Sequence, residues 1–511
     1  MASYLLGLDA GNTVIKAVLF DTDGRQLSAH AEPGVAYYPE PGQVERSLDE
    51  LWSQAGIAIR NCIENAGIDA AEIIAIGCSG HGNGLYLLDK AQQPLLAIQS
   101  LDSRAMQLVG EYGADGRADA LYDICLQKPW PSQTPTLLAW IKRFAPDTFA
   151  RIGTVFLCKD YMAWRLTGNI VSDYSDMSGC GLLRMPELDY DAELLGLYGL
   201  EDCRDFLPPL FASTDVIGEV TDDAAAATGL KAGTPMVGGL FDVVASATGA
   251  GTVEPGAASV IAGTWSINQV IVDTPVSDPS IFMAAAVSKD RFVEIEASAT
   301  SAANLEWMAR EFFGETEEKS GEAAVFELCN DLVASVELDD GLPIYHPFLY
   351  GASTNGAARA GFYGIGGWHT RAHMMHALFE GVAFGHRRHI ETLRSAGVTF
   401  DQATLSGGGS RSPVWPQMFA DILEVDVAVA DCQETGALGA AIAAGIGLSA
   451  FDGFEDGAAR MSKVERRYNP DAQKQAMYRR RYAIYEELCT ALAPVWDKLS
   501  ATPEDVAQAA E

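Results

Sequence analysis

The chain has 511 residues, and 35 Lys and Arg against 69 Asp and Glu leave a net charge of −34. That length predicts two or three domains at ~100–200 residues each, and 48% hydrophobic with 20% charged residues describes a folded globular chain, not a disordered one. The acidity excludes nucleic-acid and membrane-surface partners, which demand a basic face, but allows a small anion in a local pocket.

No apolar run reaches the ~18–20 residues of a membrane span. The opening MASYLLGLDAG meets Asp9 without a basic flank, so no secretion signal is expected. Nine scattered cysteines, odd in number and without a C-x-x-C pair, predict reduced thiols in the core. Neither a disulfide frame nor a zinc site is expected, and the compartment is read as cytoplasm.

In chain order, YLLGLD (4–9) and VIKAVLF (14–20) predict two strands joined by a tight turn, with a second turn at DTDGR. The joining stretch carries chemistry. Asp9 ends a buried strand, which is costly unless it is solvated or meets a cation. Gly11, Asn12 and Thr13 form a turn whose N–H groups can line an anion nest, with Lys16 adding positive charge. An acid beside such a nest fits Mg²⁺ with a nucleotide, Asp9 reaching the metal. A plain hairpin with a partly exposed Asp is the competing reading.

IIAIGCS (73–79) and LYLLD (85–89) predict strands, and PTLLAWIKRFA (135–145) an amphipathic helix. Between them, His81 and Asn83 in SGHGNG and Asp102 and Arg104 in SLDSR are turn-borne polar groups suited to a polyhydroxylated ligand. Trp130 is read as an exposed loop side chain, not a sugar platform. TPMVGGLF (234–241) predicts one strand running into the helix DVVASATGAG, with Asp242 at the junction. Asp is a favoured N-cap. The same carboxylate, held ionised at pKa ~4 by the helix N-terminus, is a candidate base for a hydroxyl attacking a γ-phosphate.

AASVIAG (257–263) and INQVIVD (267–273) repeat the strand–turn–strand pattern, with Gly11 and Gly263 252 positions apart. Self-similarity at half the chain length suggests two related domains. Residues 370–397 predict a long helix; ATLSGGG (403–409), SPVWPQMFADIL (412–423), VDVAVA (425–430) and ETGALGAAIAAG (434–445) alternate strand and helix, an α/β pattern. Gly407, Gly408 and Gly409 would let backbone lie flat against a purine, and Ser412 with Pro413 predicts a helix start. Glycines 436 and 439 are expected to permit close helix packing. The His369, His373, His376, His386 and His389 group lacks an H-E-x-x-H pattern and is read as surface or core, not metal-ligating. GIGLSA (445–450) follows a helix, which disfavours a dinucleotide fold, and no G-x-x-x-x-G-K-[ST] loop occurs. A last helix (471–492) carries Arg479, Arg480 and Arg481 on a face read as solvated, and an Ala-rich acidic tail follows.

Taken together, these segments resemble the FGGY carbohydrate kinases of the actin/hexokinase superfamily. GLDAGNTVIKAVLFD is similar to the first signature, SVIAGTWS to the second phosphate turn, LSGGGSRSPVWPQMFADI to the adenosine segment, and AGFYGIGGWHTRAHMMHALFEG (360–381) to the C-terminal signature. The stretch TPTLLAWIKR (134–143) departs from the family by lacking the usual Lys before the Trp. Relatives acting on D-xylulose present Met-His where this chain has Gly82-Asn83, which points away from that sugar.

The resemblance implies two ribonuclease-H-like α/β domains, 1–252 and 253–511, with the active site in the cleft between them. It implies ATP and Mg²⁺, with phosphates held by the turns at Thr13 and at Gly263 and Thr264, and adenosine by Gly407–Gly409. The sugar, a ketopentose or related polyol, would meet His81, Asn83, Asp102, Arg104 and the catalytic Asp242, and Asp9 would serve the metal. A relative that binds nucleotide without phosphorylating a sugar is the rival reading. A homodimer is the base-rate expectation.

Overall fold

The structure, a computed structural model, describes residues 3–352 and 356–500, with all side chains in that span except those of 315–320, 322 and 500. The acidic tail beyond 500 lies outside the described residues. The chain divides into two compact units. The first holds the chain up to Pro255 together with Ile271–Ile295 and Asp431–Lys463; the second holds Gly256–Val270, Glu296–Ala430 and the chain from Val464 on. A split at 252/253 divides the chain by order, whereas compactness groups two later segments with the first unit.

The first unit is built on a seven-stranded sheet. Tyr4–Ala10 lies inside it, antiparallel to Val14–Asp21 and parallel to Ile73–Gly80. Leu5, Leu6, Leu8 and Ala10 are all fully buried, so both faces of this strand are covered. Helix Leu48–Ala66 packs over the sheet with Leu51, Ala55, Ile59 and Cys62 inward, a spacing of three to four that places them on one face. Helix Thr435–Gly447 also lies against the sheet, buried at every position from Thr435 to Gly445. Its approach is so close that a Cβ on Gly7 would stand 1.9 Å from the Ala437 carbonyl oxygen, and one on Gly77 1.9 Å from that of Ala440. Only glycine permits such contact.

The expected single strand at 234–241 is two, Pro235–Val237 and Leu240–Phe241. They break at Gly239, which has φ +82° and would drive a Cβ into the Cys78 carbonyl oxygen at 2.1 Å. Trp130 is half-buried beside Phe282, ring centroids 6.1 Å apart, and is not the free loop side chain expected.

In the second unit, Ala258–Ala262 runs antiparallel to Ser266–Val272 and parallel to Gln402–Ser406. Asp426–Ala430 and Val464–Tyr468 extend the sheet beyond it. The first unit has the same neighbour order, hairpin partner, first strand, parallel third strand and an antiparallel edge pair. The Gly/Thr turns 252 positions apart therefore mark a real duplication.

Helix Trp415–Leu423 starts two residues later than Pro413 predicts, although the Ser412 hydroxyl still accepts from the Val414 and Trp415 N–H groups. The final helix, Ala472–Ser500, does not carry its arginines on a solvated face alone. Arg479 and Arg480 pair with Glu424 and Asp340, but Arg481 is fully buried against Glu380 at 2.5 Å. One residue in three or four must turn inward, and an inward arginine needs a carboxylate. His386 and His389 are core groups, bonded to Ser301 (2.8 Å) and Glu296 (2.9 Å), and all nine cysteines are free. Among the described residues no helix is long and apolar enough to cross a membrane.

Candidate active site

The turn after the first strand is held from behind. Gly11 N–H closes the hairpin on the Val14 carbonyl at 3.0 Å. The carbonyl oxygens of Gly11 and Asn12 accept from Arg46 at 3.1 and 3.2 Å, that of Asn12 also from Gln99, and that of Thr13 from Gly34 N–H at 2.7 Å. With three successive carbonyls engaged on one side, the Asn12 and Thr13 N–H groups have no partner among the described residues. That is the geometry of an anion nest, with Thr13 exposed at its tip. Lys16 departs from the expectation: its ammonium pairs with Glu434 at 2.7 Å, one residue before helix Thr435–Gly447.

Asp9 is half-buried at the end of the first strand, in register with Ser79, whose hydroxyl donates to its Oδ1 at 2.9 Å. Its Oδ2 has no hydrogen-bond partner among the described residues, and a Cβ on Gly436 would come within 3.0 Å of it. Burial raises the Asp9 pKa, the Ser79 bond and the Lys16 charge oppose this, and the Glu434 charge adds to it. One free carboxylate oxygen beside space kept clear by a glycine fits Mg²⁺, which takes one or two protein carboxylates and fills its shell with phosphate and water.

Leu240–Phe241 pairs with the same strand, Leu240 opposite Ser79 and Phe241 opposite Gly80. Asp242 therefore emerges two residues beyond the row that holds Asp9. It is the first residue of helix Asp242–Gly249; Phe241 takes the cap position and makes no side-chain cap bond. Burial, then the negative charge of Asp9, raise the Asp242 pKa to about 7 against the opposing Val243 N–H. The expected value near 4 is thus corrected: desolvation and a neighbouring carboxylate outweigh the helix N-terminus. A base poised near neutrality is better matched to proton transfer at neutral pH.

A buried network supports this turn. Phe241 N–H donates to the Ser175 hydroxyl at 3.0 Å, and Ser175 donates to Asp173 at 2.6 Å. Asp173 also pairs with Lys159 at 2.8 Å, and Lys159 pairs with Asp160 at 2.5 Å; all three are essentially unexposed. The Phe241 ring is flanked by Gly82 and Gly179, where a Cβ would stand 2.2 and 2.8 Å from it. The Gly82-Asn83 turn and the Asp242 turn are thereby brought together. Asn83, with φ 63°, donates to Gly179 at 3.4 Å and leaves its buried Oδ1 without a partner among the described residues. It is the sequence-predicted sugar contact with a free polar atom.

Three other predicted sugar contacts, His81, Asp102 and Arg104, are engaged within the protein. His81 bonds Tyr86 at 2.7 Å, and burial with the Arg46 charge lowers its pKa to about 3. Asp102 accepts from Val44 N–H and from Arg104, and Arg104 also pairs with Glu45 at 2.9 Å and lies over Trp140.

In the second unit, Ala302 N–H donates to the Gly263 carbonyl at 2.8 Å and Ser301 N–H to that of Thr264 at 3.1 Å. Thr264 is exposed, and neither its N–H nor that of Trp265 has a partner among the described residues. The glycine run is adjacent: a Cβ on Gly407 would meet the Ala262 carbonyl oxygen at 2.8 Å. Gly409 is packed, whereas Gly408 is exposed, opens a short 3-10 turn, Gly408–Arg411, and faces open space, so the run is not the flat backbone expected.

Arg46, Glu434 and the Lys159 network escaped the sequence reading. All three act through partners distant in the chain, and no local spacing marks them.

Residues 4–249 match the N-terminal domain and residues 258–448 the C-terminal domain of the FGGY family of carbohydrate kinases. The L-xylulose/3-keto-L-gulonate kinase of Escherichia coli is 36% identical over 496 residues, covering 96% of this chain and 98% of that protein. The autoinducer-2 kinase of Yersinia enterocolitica is 28% identical over 93% of this chain and 92% of its own length. Among solved structures, the xylulose kinase of Rhodospirillum rubrum superposes with TM-score 0.86 at 27% identity, covering 97% of this chain and all of that one, 100%. Its two Gly/Thr turns, its glycine run and its full-length similarity agree: this chain belongs to the FGGY family of carbohydrate kinases.

Proposed function

We propose that the chain transfers the γ-phosphoryl group of ATP to the primary hydroxyl of a ketopentose, L-xylulose first among candidates. The observation that carries this reading is Asp242, placed two residues past the sheet row of Asp9 with its pKa near 7. The 36% identity to a kinase named for L-xylulose and 3-keto-L-gulonate supports the choice of acceptor.

In this reading residues 1–252 take the sugar and residues 253–511 the nucleotide. The Asn12 and Thr13 amides and those of Thr264 and Trp265 receive phosphate oxygens, and the backbone at Gly408 lies under the adenosine. Asn83 Oδ1 accepts from a sugar hydroxyl, satisfying an atom otherwise buried without a partner. The engaged side chains of His81, Asp102 and Arg104 shape the sugar pocket rather than reach into it. Asp242 accepts the proton of the attacking hydroxyl as the new O–P bond forms and the bond to ADP breaks. Asp9 would hold Mg²⁺, which when bound neutralises phosphate charge. In this reading the protein works in the cytoplasm, which the need for ATP and nine free cysteines support.

The test is ADP release in a coupled assay across L-xylulose, 3-keto-L-gulonate, D-xylulose, ribulose, erythritol, glycerol and autoinducer-2. The expected result is sugar-stimulated ADP release, greatest with a ketopentose, and at least ~10²-fold lower turnover in Asp242→Asn. Near-normal turnover in that variant removes Asp242 from its role. No stimulation by any acceptor makes the chain a nucleotide-binding relative.

A further inference from the structure

A chain of charge −34 must place positive potential where a triphosphate binds. Lys16, the obvious candidate, is neutralised by Glu434 at 2.7 Å. Among the described residues, the remaining cation at this turn is Arg46.

Arg46 is 4% exposed. Other buried cations of the chain have carboxylate partners: Lys159 has Asp160 and Asp173, Arg481 has Glu380, and Arg104 has Asp102. Among the described residues, no carboxylate lies within ion-pair distance of Arg46. A buried charge left without a counter-ion is costly. Its guanidinium instead donates to the carbonyl oxygens of Gly11 and Asn12 and stands beside the Tyr86 hydroxyl, while its Nε has no hydrogen-bond partner among the described residues. A cation behind these oxygens fixes the peptide planes and polarises the units whose N–H groups face away. Hydrogen bonds in series strengthen one another, so the outward amides become better donors. Gly34 completes the fit, since a Cβ there would stand 2.4 Å from the guanidinium and 2.6 Å from the Asn12 oxygen.

We propose that Arg46, not Lys16, is the fixed counter-charge of the phosphate turn, a positioning residue that holds the Gly11 and Asn12 carbonyls inward and aims the Asn12 and Thr13 amides at a bound polyphosphate. The missing counter-ion is the polyphosphate itself. This inference rests on the proposed assignment of that turn to ATP phosphates.

The test compares full-length wild type with Arg46→Lys, Arg46→Gln and Arg46→Met. It measures folding by circular dichroism, calorimetric binding of ATP and of adenosine, and steady-state kinetics with the best acceptor. Loss of one preorganised electrostatic group at a reacting anion costs ~10²–10³-fold when it touches the anion directly; acting through the turn, Arg46→Met and Arg46→Gln should lower kcat/KM for ATP about tenfold or more. ATP affinity should fall while adenosine affinity stays within about twofold, and Arg46→Lys should retain more ATP affinity than Arg46→Gln. ATP binding within twofold of wild type in Arg46→Gln overturns the proposal. So does a parallel loss of ATP and adenosine affinity, which a merely structural role gives, or a Lys variant no better than Gln. If Arg46→Met fails to fold, the Lys and Gln pair decides. A wild type without sugar-stimulated ADP release refutes the kinase reading, while the ATP-to-adenosine comparison still judges Arg46.

Discussion

Helix Thr435–Gly447 meets helix Asp242–Gly249 through Gly439, and the consequence for the candidate base can be worked out. A Cβ on Gly439 would lie 1.9 Å from the Ala245 carbonyl oxygen and 2.9 Å from its Cα, backbone atoms with no rotamer to escape into. Real Cβ contacts are essentially never under 3.0 Å, so Gly439→Ala must separate the two helices by about 1.1 Å at this point. Ala245 is three residues from Asp242, so one rigid helical turn carries the displacement to the carboxylate. A misplacement of ~1 Å at a reacting group is worth about 10²-fold in rate, and overpacking costs ~1–3 kcal/mol of stability. We expect Gly439→Ala to fold with a lowered thermal midpoint and to lose turnover by about 10²-fold, while KM for ATP changes far less. Coupled ADP release and differential scanning calorimetry read both quantities on one preparation. Wild-type turnover together with a wild-type midpoint would show that the helices separate without cost, and the argument for close packing would fail.

Two further outcomes follow from the charges. Asp242 must be ionised to accept a proton, and its pKa of about 7 lies above the ordinary 3.8; kcat/KM for the sugar should therefore fall roughly tenfold per pH unit below about 7, and a profile flat down to pH 5 contradicts the assigned base. Lys159→Met leaves Asp160, Asp173 and Asp176 buried without their shared cation, a change worth ~3–5 kcal/mol of stability; urea unfolding at pH 7 should show it, with a smaller deficit at pH 5 as Asp160 and Asp176, whose pKa burial raises, take up protons, and a loss under ~1 kcal/mol refutes the network's role.

The pattern of strands and the turns at 11–13 and 263–264 were legible because they are written locally. Short apolar runs, a glycine where the chain doubles back and a threonine at the tip each depend on neighbours a few residues away. The strand at 234–241 was legible only as an apolar run; its break at Gly239 depends on the Cys78 carbonyl, far off in the chain. The buried Arg481 was misread for the same reason, since Glu380 is 101 residues away.

Charge assignment was beyond any one-dimensional reading. Lys16 looked free until folding brought Glu434, 418 residues distant, to its ammonium, and nothing near Arg46 in the chain marks it as the residue that bonds the turn's carbonyls. The sequence by itself determined which segments become strands, where the backbone can cradle an anion, and which carboxylates end the strands. Tertiary structure alone decided which cation remains unpaired and that Asp242 titrates near 7, because desolvation and Coulomb interaction depend on separation in space, and separation along the chain does not encode it.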